Sequence, residues 1–176
     1  MLIIQVISPS HPPLSGRRFI TIRQGDTIHH PHHGIGQVQS IRKRSFSGEK
    51  ETAFAQVYFK RDGLTLMLRQ QDLDKTVRKP INANEAKRLL DHLETWNGNV
   101  SREWKARANA NQVAMDRGDP FAYAEIYKGL SRLEAEGTLR STDREHLNQS
   151  LDFLAEELAV ALGETPEQAR SQIARA

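Results

Sequence analysis

Residues 25–44 read GDTIHHPHHGIGQVQSIRKR, and they contain two of the four short runs that decide the fold of the first half of the chain. In these runs apolar and polar residues alternate, as they do in half-buried strands. The four runs are Asp26–His29, Gly34–Arg44, Thr52–Lys60 and Leu64–Leu68. Ser47-Gly48 and Asp62-Gly63 lie where hairpin turns are expected. The pattern predicts a small antiparallel β barrel of the SH3-like or Tudor-like kind over residues 23–82.

After Asn84 the apolar residues recur at helical spacing. Four helices are predicted: one from Ala86 that ends before Asn97, one over residues 102–117 capped by Ser101, one that begins at Asp119-Pro120, and one with a Thr142/Glu145 capping box that ends at Gly163. In the tail, residues 164–176, Thr165-Pro166 is a candidate start for a short fifth helix. We therefore predict an α+β protein of two domains. An N-terminal extension (1–22) and the barrel (23–82) precede a compact all-α domain (83–163).

Composition excludes several classes of protein. The chain has no cysteine, which rules out disulfide scaffolds, thiolate zinc sites and cysteine nucleophiles. The net charge is +3, but residues 1–85 carry 13 basic and 7 acidic side chains, whereas residues 86–176 carry 12 and 15. This asymmetry suggests two units with different partners. No apolar run is long enough to span a bilayer, so we expect a cytoplasmic protein without a membrane partner.

The four histidines at positions 29, 30, 32 and 33 are candidate metal ligands, because imidazole binds zinc, nickel and copper. Pro31 and the alternation of side chains along a strand prevent the four from converging easily, so the segment is expected to be structural. No phosphate-binding glycine loop, nucleophile elbow or metalloprotease helix motif occurs. The sequence therefore indicates a binding protein, with no enzymatic activity, cofactor, metal or small-molecule substrate.

Trp104 is the most informative residue of the helical part, because Arg102, Lys105 and Arg107 surround it in the sequence. One interpretation buries its side chain against a neighbouring helix. In the other it is an exposed wedge whose basic neighbours, together with the N–H groups of the helix N-terminus, contact nucleic-acid phosphates. The apolar side of the same helix is predicted to comprise Ala106, Ala110, Val113 and Ala114. Trp96 continues the stripe of the preceding helix and is expected in the core.

Several motifs resemble the CarD and CdnL family of bacterial transcription regulators over residues 23–163. In the barrel the resemblance rests on Gly25-Asp26-Thr27, Pro31-His32-His33-Gly34-Ile35-Gly36, Arg42-Lys43-Arg44, the Gly48 turn and Leu64–Leu68. In the helical part it rests on Trp104, Gly118-Asp119, Ala124-Glu125 and Phe153–Ala161. A related barrel occurs in transcription-repair coupling factors.

The resemblance implies a Tudor-like domain that binds the β subunit of RNA polymerase and a helical domain that inserts a tryptophan into the minor groove at the upstream edge of the transcription bubble. By position, Arg44 and Met67 would contact the polymerase. Trp104 would be the wedge, and Arg107 and Arg144 would contact promoter DNA. Arg102 and Lys105 are predicted DNA contacts because they are basic neighbours of Trp104. This sequence departs from the family pattern at four positions, which are His30, Arg69, Lys105 and Ala106.

The resulting hypothesis is a transcription regulator that stabilises the promoter open complex. Two alternatives stay open at this stage. One is a polymerase-binding adaptor whose helical domain engages another protein, with Trp104 buried. The other is a metal-binding regulator that uses the His29–His33 segment.

Overall fold

The computed structural model of the chain describes residues 21–45 and 51–176. Most of the predicted N-terminal extension and the predicted Ser47-Gly48 turn lie outside the described residues. The chain divides after Lys79 into two compact units. We call the part up to Lys79 the sheet unit and residues Pro80–Ala176 the helical unit.

Four strands form the described part of the sheet unit, paired antiparallel in the order β1-β2-β3-β4. They are β1 Thr27–His30, β2 Gly34–Arg44, β3 Thr52–Phe59 and β4 Leu64–Arg69. All four predicted strands are confirmed, because the alternation places one row of apolar side chains on the inner face. A 3₁₀ turn (Gln70–Asp72) and a short helix, α1 (Leu73–Thr76), follow β4.

The chain that leaves β4 comes back to the β1 edge of the sheet. The N–H and C=O groups of His29 and Arg78 exchange two backbone hydrogen bonds, of 2.8 and 3.0 Å. The core enclosed in this way contains Ile28, Val38, Val57, Phe59, Leu66 and Val77.

Gly36 lies where β2 crosses this core. A Cβ atom at position 36 would be 2.6 Å from Cε1 of Phe59 and 2.8 Å from Cγ1 of Val57. Only glycine allows so close an approach of the backbone to those side chains.

The helical unit contains five helices. They are α2 Ala83–Thr95, α3 Trp104–Asp116, α4 Pro120–Ala135, α5 Ser141–Leu162 and α6 Pro166–Arg175. The predicted architecture, a β domain followed by a helical domain, is therefore confirmed. The core of this unit is built around Leu89, Leu93, Tyr123, Leu130, Phe153, Leu154 and Leu158. Residues 164–176, predicted as a tail with a candidate short helix, contain α6, whose Ala169 and Ile173 are buried in the same core.

Two helix starts differ from the sequence prediction. Helix α3 is capped by the Glu103 side chain rather than by Ser101, because the Glu103 carboxylate accepts hydrogen bonds from two backbone N–H groups of the first turn. Helix α5 begins at Ser141, before the predicted Thr142 cap, and Asp143 accepts a hydrogen bond from the backbone N–H of Arg140. The Asp119 cap with Pro120 and the Thr165 cap are confirmed.

The buried side of α3 is also not the predicted one. Ala106, Ala110 and Val113 are exposed, and the buried residues of this helix are Arg107 and Met115. Alanines bury too little apolar area to decide which side of a helix faces the core. An ion pair of Arg107 and the insertion of Met115 set the rotation of α3 instead.

Trp96 ends α2 and is half-buried rather than a core residue. Its ring lies 5.1 Å from the guanidinium of Arg132, and the same guanidinium donates a 2.8 Å hydrogen bond to the Trp96 carbonyl. The buried apolar stripe of α2 therefore ends at Leu93 and does not extend to Trp96, although the periodicity predicts that it does.

Candidate functional site

Arg44 and Met67 lie on the outer face of the sheet. In the strand register Arg44 is opposite Thr52, and Met67 is opposite Gln56. Thr52 and Gln56 are four residues apart on β3, so they point to the same side of the sheet. The opposite side is the core face, where Val57 is fully buried. The structure thus brings the two predicted polymerase-contacting residues onto one surface, with Arg44 exposed and Met67 half-buried.

Two more arginines belong to the same face. Arg42 and Arg69 both lie opposite Phe54 in the register, one on each neighbouring strand. Both side chains are exposed. The surface formed by Arg42, Arg44, Arg69 and Met67, which we call the outer sheet face, is therefore basic, with one apolar side chain, Met67, at one end. In the sequence Arg69 stands out only as a departure from the family pattern. The strand register shows that it belongs to this surface.

Trp104 is the first residue of α3, and 44% of its surface is exposed. The interpretation that buries this side chain against a neighbouring helix is therefore wrong. The ammonium of Lys105 lies 5.5 Å from the centre of the indole ring, which is cation–π distance. The structure keeps an aromatic ring at the surface with a cation beside it.

A cavity of about 240 Å³ adjoins Trp104. Its lining comprises Arg102, Trp104, Arg107, Leu133, Thr138 and Arg140. The lining of the cavity thus includes one aromatic residue and three arginines. Arg140 was missed by the sequence analysis, because its place beside Trp104 depends on the packing of the α5 start against α3, for which no local motif exists.

Arg107 does not present its charge to solvent, which corrects its predicted role in contacting DNA. Its side chain is 4% exposed, and its Nε and Nη2 atoms donate hydrogen bonds of 2.9 and 2.6 Å to the two carboxylate oxygens of Asp143. Nη1 donates to the Ser101 carbonyl at 2.7 Å. A phosphate could reach this guanidinium only by breaking these bonds, because a carboxylate already occupies the bidentate edge.

The N-terminus of α3 is likewise occupied. The Glu103 carboxylate accepts hydrogen bonds from the N–H groups of Ala106 and Lys105, at 2.6 and 3.0 Å. These two bonds hold the pKa of Glu103 below its usual value, so the carboxylate is charged. The sequence expectation that these N–H groups meet phosphates is therefore wrong for this structure.

The remaining predicted DNA-contacting side chains are exposed. They are Arg102, Lys105 and Arg144. Nη1 of Arg102 lies 3.7 Å from a carboxylate oxygen of Glu136, an exposed ion pair that contributes little to stability. Together with Arg140, these cations surround Trp104 or lie on the first turn of α5.

The histidine segment has a structural role. His29 and His30 are buried, and burial together with the neighbouring histidines lowers the pKa of His30 to about 3. Nδ1 of His33 lies 3.0 Å from a carboxylate oxygen of Asp62 in the β3–β4 turn. Within residues 21–45 and 51–176, no three His, Asp or Glu side chains come together as a metal site would require. The metal-binding alternative therefore has no geometric support in this part of the chain.

No helix in the described ranges combines the length and the apolarity that crossing a membrane requires.

Comparisons with known proteins cover both units. Residues 22–81 match the family model of the CarD-like/TRCF RID domain, and residues 88–174 match that of the CarD C-terminal domain. A curated relative is the protein named "Putative transcription factor YdeB" from Bacillus subtilis (strain 168). It is 25% identical to this chain over 148 residues, which are 84% of this chain and 96% of that protein.

Proposed function

Because the chain belongs to the CarD family, a family of transcription factors without enzymatic activity, we propose that it binds the β subunit of RNA polymerase and stabilises the promoter open complex. The sheet unit is the tether to the polymerase. The helical unit contacts minor-groove DNA at the upstream edge of the transcription bubble. The observation that carries the second part is the exposed ring of Trp104 with basic side chains around it.

The outer sheet face supports the proposed tether. Three arginines and Met67 form a surface that fits an acidic partner with an apolar contact at one end. β4 is the last strand in the order of the described sheet, so a polymerase strand can extend the sheet there. Main-chain hydrogen bonds would then supply affinity, and adjacent side chains would supply specificity.

The surroundings of Trp104 support the proposed wedge. Stacking a base on an aromatic ring contributes about 1 to 3 kcal/mol. Unstacking a base step costs a few kcal/mol, so the two effects nearly cancel on intact duplex. The wedge is therefore effective where the DNA is already opened, at the edge of the bubble.

Carboxylates limit the attraction of this site for DNA. Glu103 occupies the α3 N-terminus, Asp143 neutralises Arg107, and Glu136 lies beside Arg102. We therefore expect weak, salt-sensitive binding to naked duplex. Binding through the sheet unit compensates for this weakness, because it raises the effective concentration of the helical unit at the bubble.

Binding of the full chain to the isolated β-subunit lobe of the polymerase tests the tether. Arg44→Glu places a negative charge on the outer sheet face, and we expect it to weaken lobe binding at least tenfold. Lys60→Glu is the matched control, because Lys60 is exposed at the opposite end of β3 from the partner of Arg44.

Naked duplex DNA is the parallel arm, where we expect Arg44→Glu to bind as the wild type does. Absence of lobe binding by the wild-type chain would refute the tether. Equal loss in both variants would indicate an effect of charge alone, and would place the interface elsewhere.

A further inference from the structure

We propose that the buried ion pair of Arg107 and Asp143 is a positioning device for Trp104, which holds the first turn of α3 in the orientation that the wedge requires. This inference rests on the proposed function of Trp104. It gives Arg107 a role inside the protein instead of the predicted contact with DNA.

The ion pair joins three segments of the helical unit at one point. From α3, Arg107 donates two hydrogen bonds to Asp143 on the first turn of α5. Its third nitrogen donates to the carbonyl of Ser101, in the loop that enters α3. Asp143 also accepts a hydrogen bond of 3.1 Å from the backbone N–H of Arg140. The loop, the helix start and the α5 start are therefore connected through two side chains.

Trp104 lies at the end of α3 that depends on this connection. Within α3, all of which the structure describes, the buried residues are Arg107 and Met115. Met115 is near the C-terminal end, so Arg107 is the buried anchor of the N-terminal half. Trp104 precedes Arg107 by three residues, which places the two side chains next to each other on the helix surface. Both line the cavity beside α3.

Because the pair is buried, it holds both side chains in one orientation. Arg107 is 4% exposed and Asp143 is 1% exposed. Their mutual hydrogen bonds lower the pKa of Asp143 and raise that of Arg107, so both groups remain charged. A bidentate pair fixes the plane of the guanidinium as well as its distance. Loss of one partner would leave an uncompensated buried charge, and the chain would move to expose it to water.

The experiment compares Asp143→Asn with Asp152→Asn in a Trp96→Phe background, so that Trp104 is the sole tryptophan. Asp152 is the matched control, since it also lies on α5 but forms an exposed ion pair with Arg170. Three quantities are measured: fluorescence anisotropy and acrylamide quenching of Trp104, the lifetime of the promoter open complex, and binding to the polymerase lobe.

For Asp143→Asn we expect lower anisotropy, at least twofold stronger quenching and an open-complex lifetime at least fivefold shorter, with lobe binding unchanged. Asp152→Asn should match the background protein in every measurement. A folded Asp143→Asn protein with unchanged anisotropy and lifetime would overturn the inference.

Two further variants separate the possible failures. Trp104→Ala tests the proposed function itself: if it leaves the lifetime unchanged, the wedge is wrong, whatever the ion pair does. Arg107→Lys keeps the charge but loses the bidentate geometry, so it should reproduce the Trp104 effects in a milder form. If both Asp143→Asn and Arg107→Lys lose the helical circular dichroism signal, the pair is a requirement for folding and its positioning role is rejected.

Discussion

Replacement of Trp104 by alanine is the perturbation that most directly tests how the helical unit acts. The side chain is the first of α3, is 44% exposed and is not part of the buried core cluster, so its removal leaves that cluster intact. We therefore expect Trp104→Ala to remain folded, as judged by its circular dichroism, and to bind the polymerase lobe normally. Its effect should be confined to DNA.

The size of that effect follows from the exposed area. A large aromatic side chain buries up to about 250 Å², and with 44% of the residue exposed, roughly 110 Å² remains for DNA to cover. At about 25 cal/mol per Å², complete coverage contributes about 2.7 kcal/mol. Stacking on a base gives about 1 to 3 kcal/mol by an independent route. A free-energy difference of about 1.4 kcal/mol corresponds to a tenfold change in an equilibrium or rate constant. We therefore expect the open complex formed with Trp104→Ala to have a lifetime roughly 5 to 80 times shorter.

The assay is the decay of preformed open complexes after addition of a competitor, at saturating concentrations of each protein. Trp104→Phe should give an intermediate lifetime, because it keeps an aromatic face of smaller area. Val113→Ala is the control, since Val113 is 53% exposed on the same helix. A Trp104→Ala lifetime within twofold of the wild type, with lobe binding intact, would refute the reasoning.

Three further outcomes are expected. Glu103→Ser keeps a helix cap but removes the carboxylate beside the wedge, so duplex DNA should bind more tightly in a filter or anisotropy assay; unchanged affinity would show that this charge does not oppose DNA. Gly36→Ala places a Cβ 2.6 Å from a carbon atom of Phe59, and urea denaturation should show the sheet unit destabilised by about 1 to 3 kcal/mol; an unchanged midpoint would contradict the close approach. The pKa of His30 is about 3 in the folded chain and 6.5 in the unfolded chain. As the pH falls below 6.5, the unfolded state therefore takes up a proton that the folded state does not, and this favours unfolding. Stability should therefore be full above pH 6.5 and fall by about 2 kcal/mol by pH 5, and His30→Asn should flatten this dependence; equal slopes would contradict it.

Local patterns determined the secondary structure and the order of the two units. The bounds of β2, Gly34–Arg44, agree with the sequence prediction, because alternation and the flanking glycine are features of the strand itself. The start of α4 agrees for the same reason, since the Asp119 side chain caps the helix by accepting a hydrogen bond from the N–H of Phe121, two residues later. Family motifs along both units identified the family, and the matched family models confirm it.

Only the tertiary structure decided which charges of the candidate site are available. Arg107 and Asp143 are 36 residues apart in the chain, and no local pattern relates them. With this pair buried, α3 exposes the alanine side that periodicity assigned to the core, and Trp104 is 44% exposed. Periodicity and capping depend on neighbouring residues, whereas the burial of a charged side chain depends on a partner from elsewhere in the fold. For this reason the sequence pointed to the exposed tryptophan of α3, but it misassigned the arginine beside it.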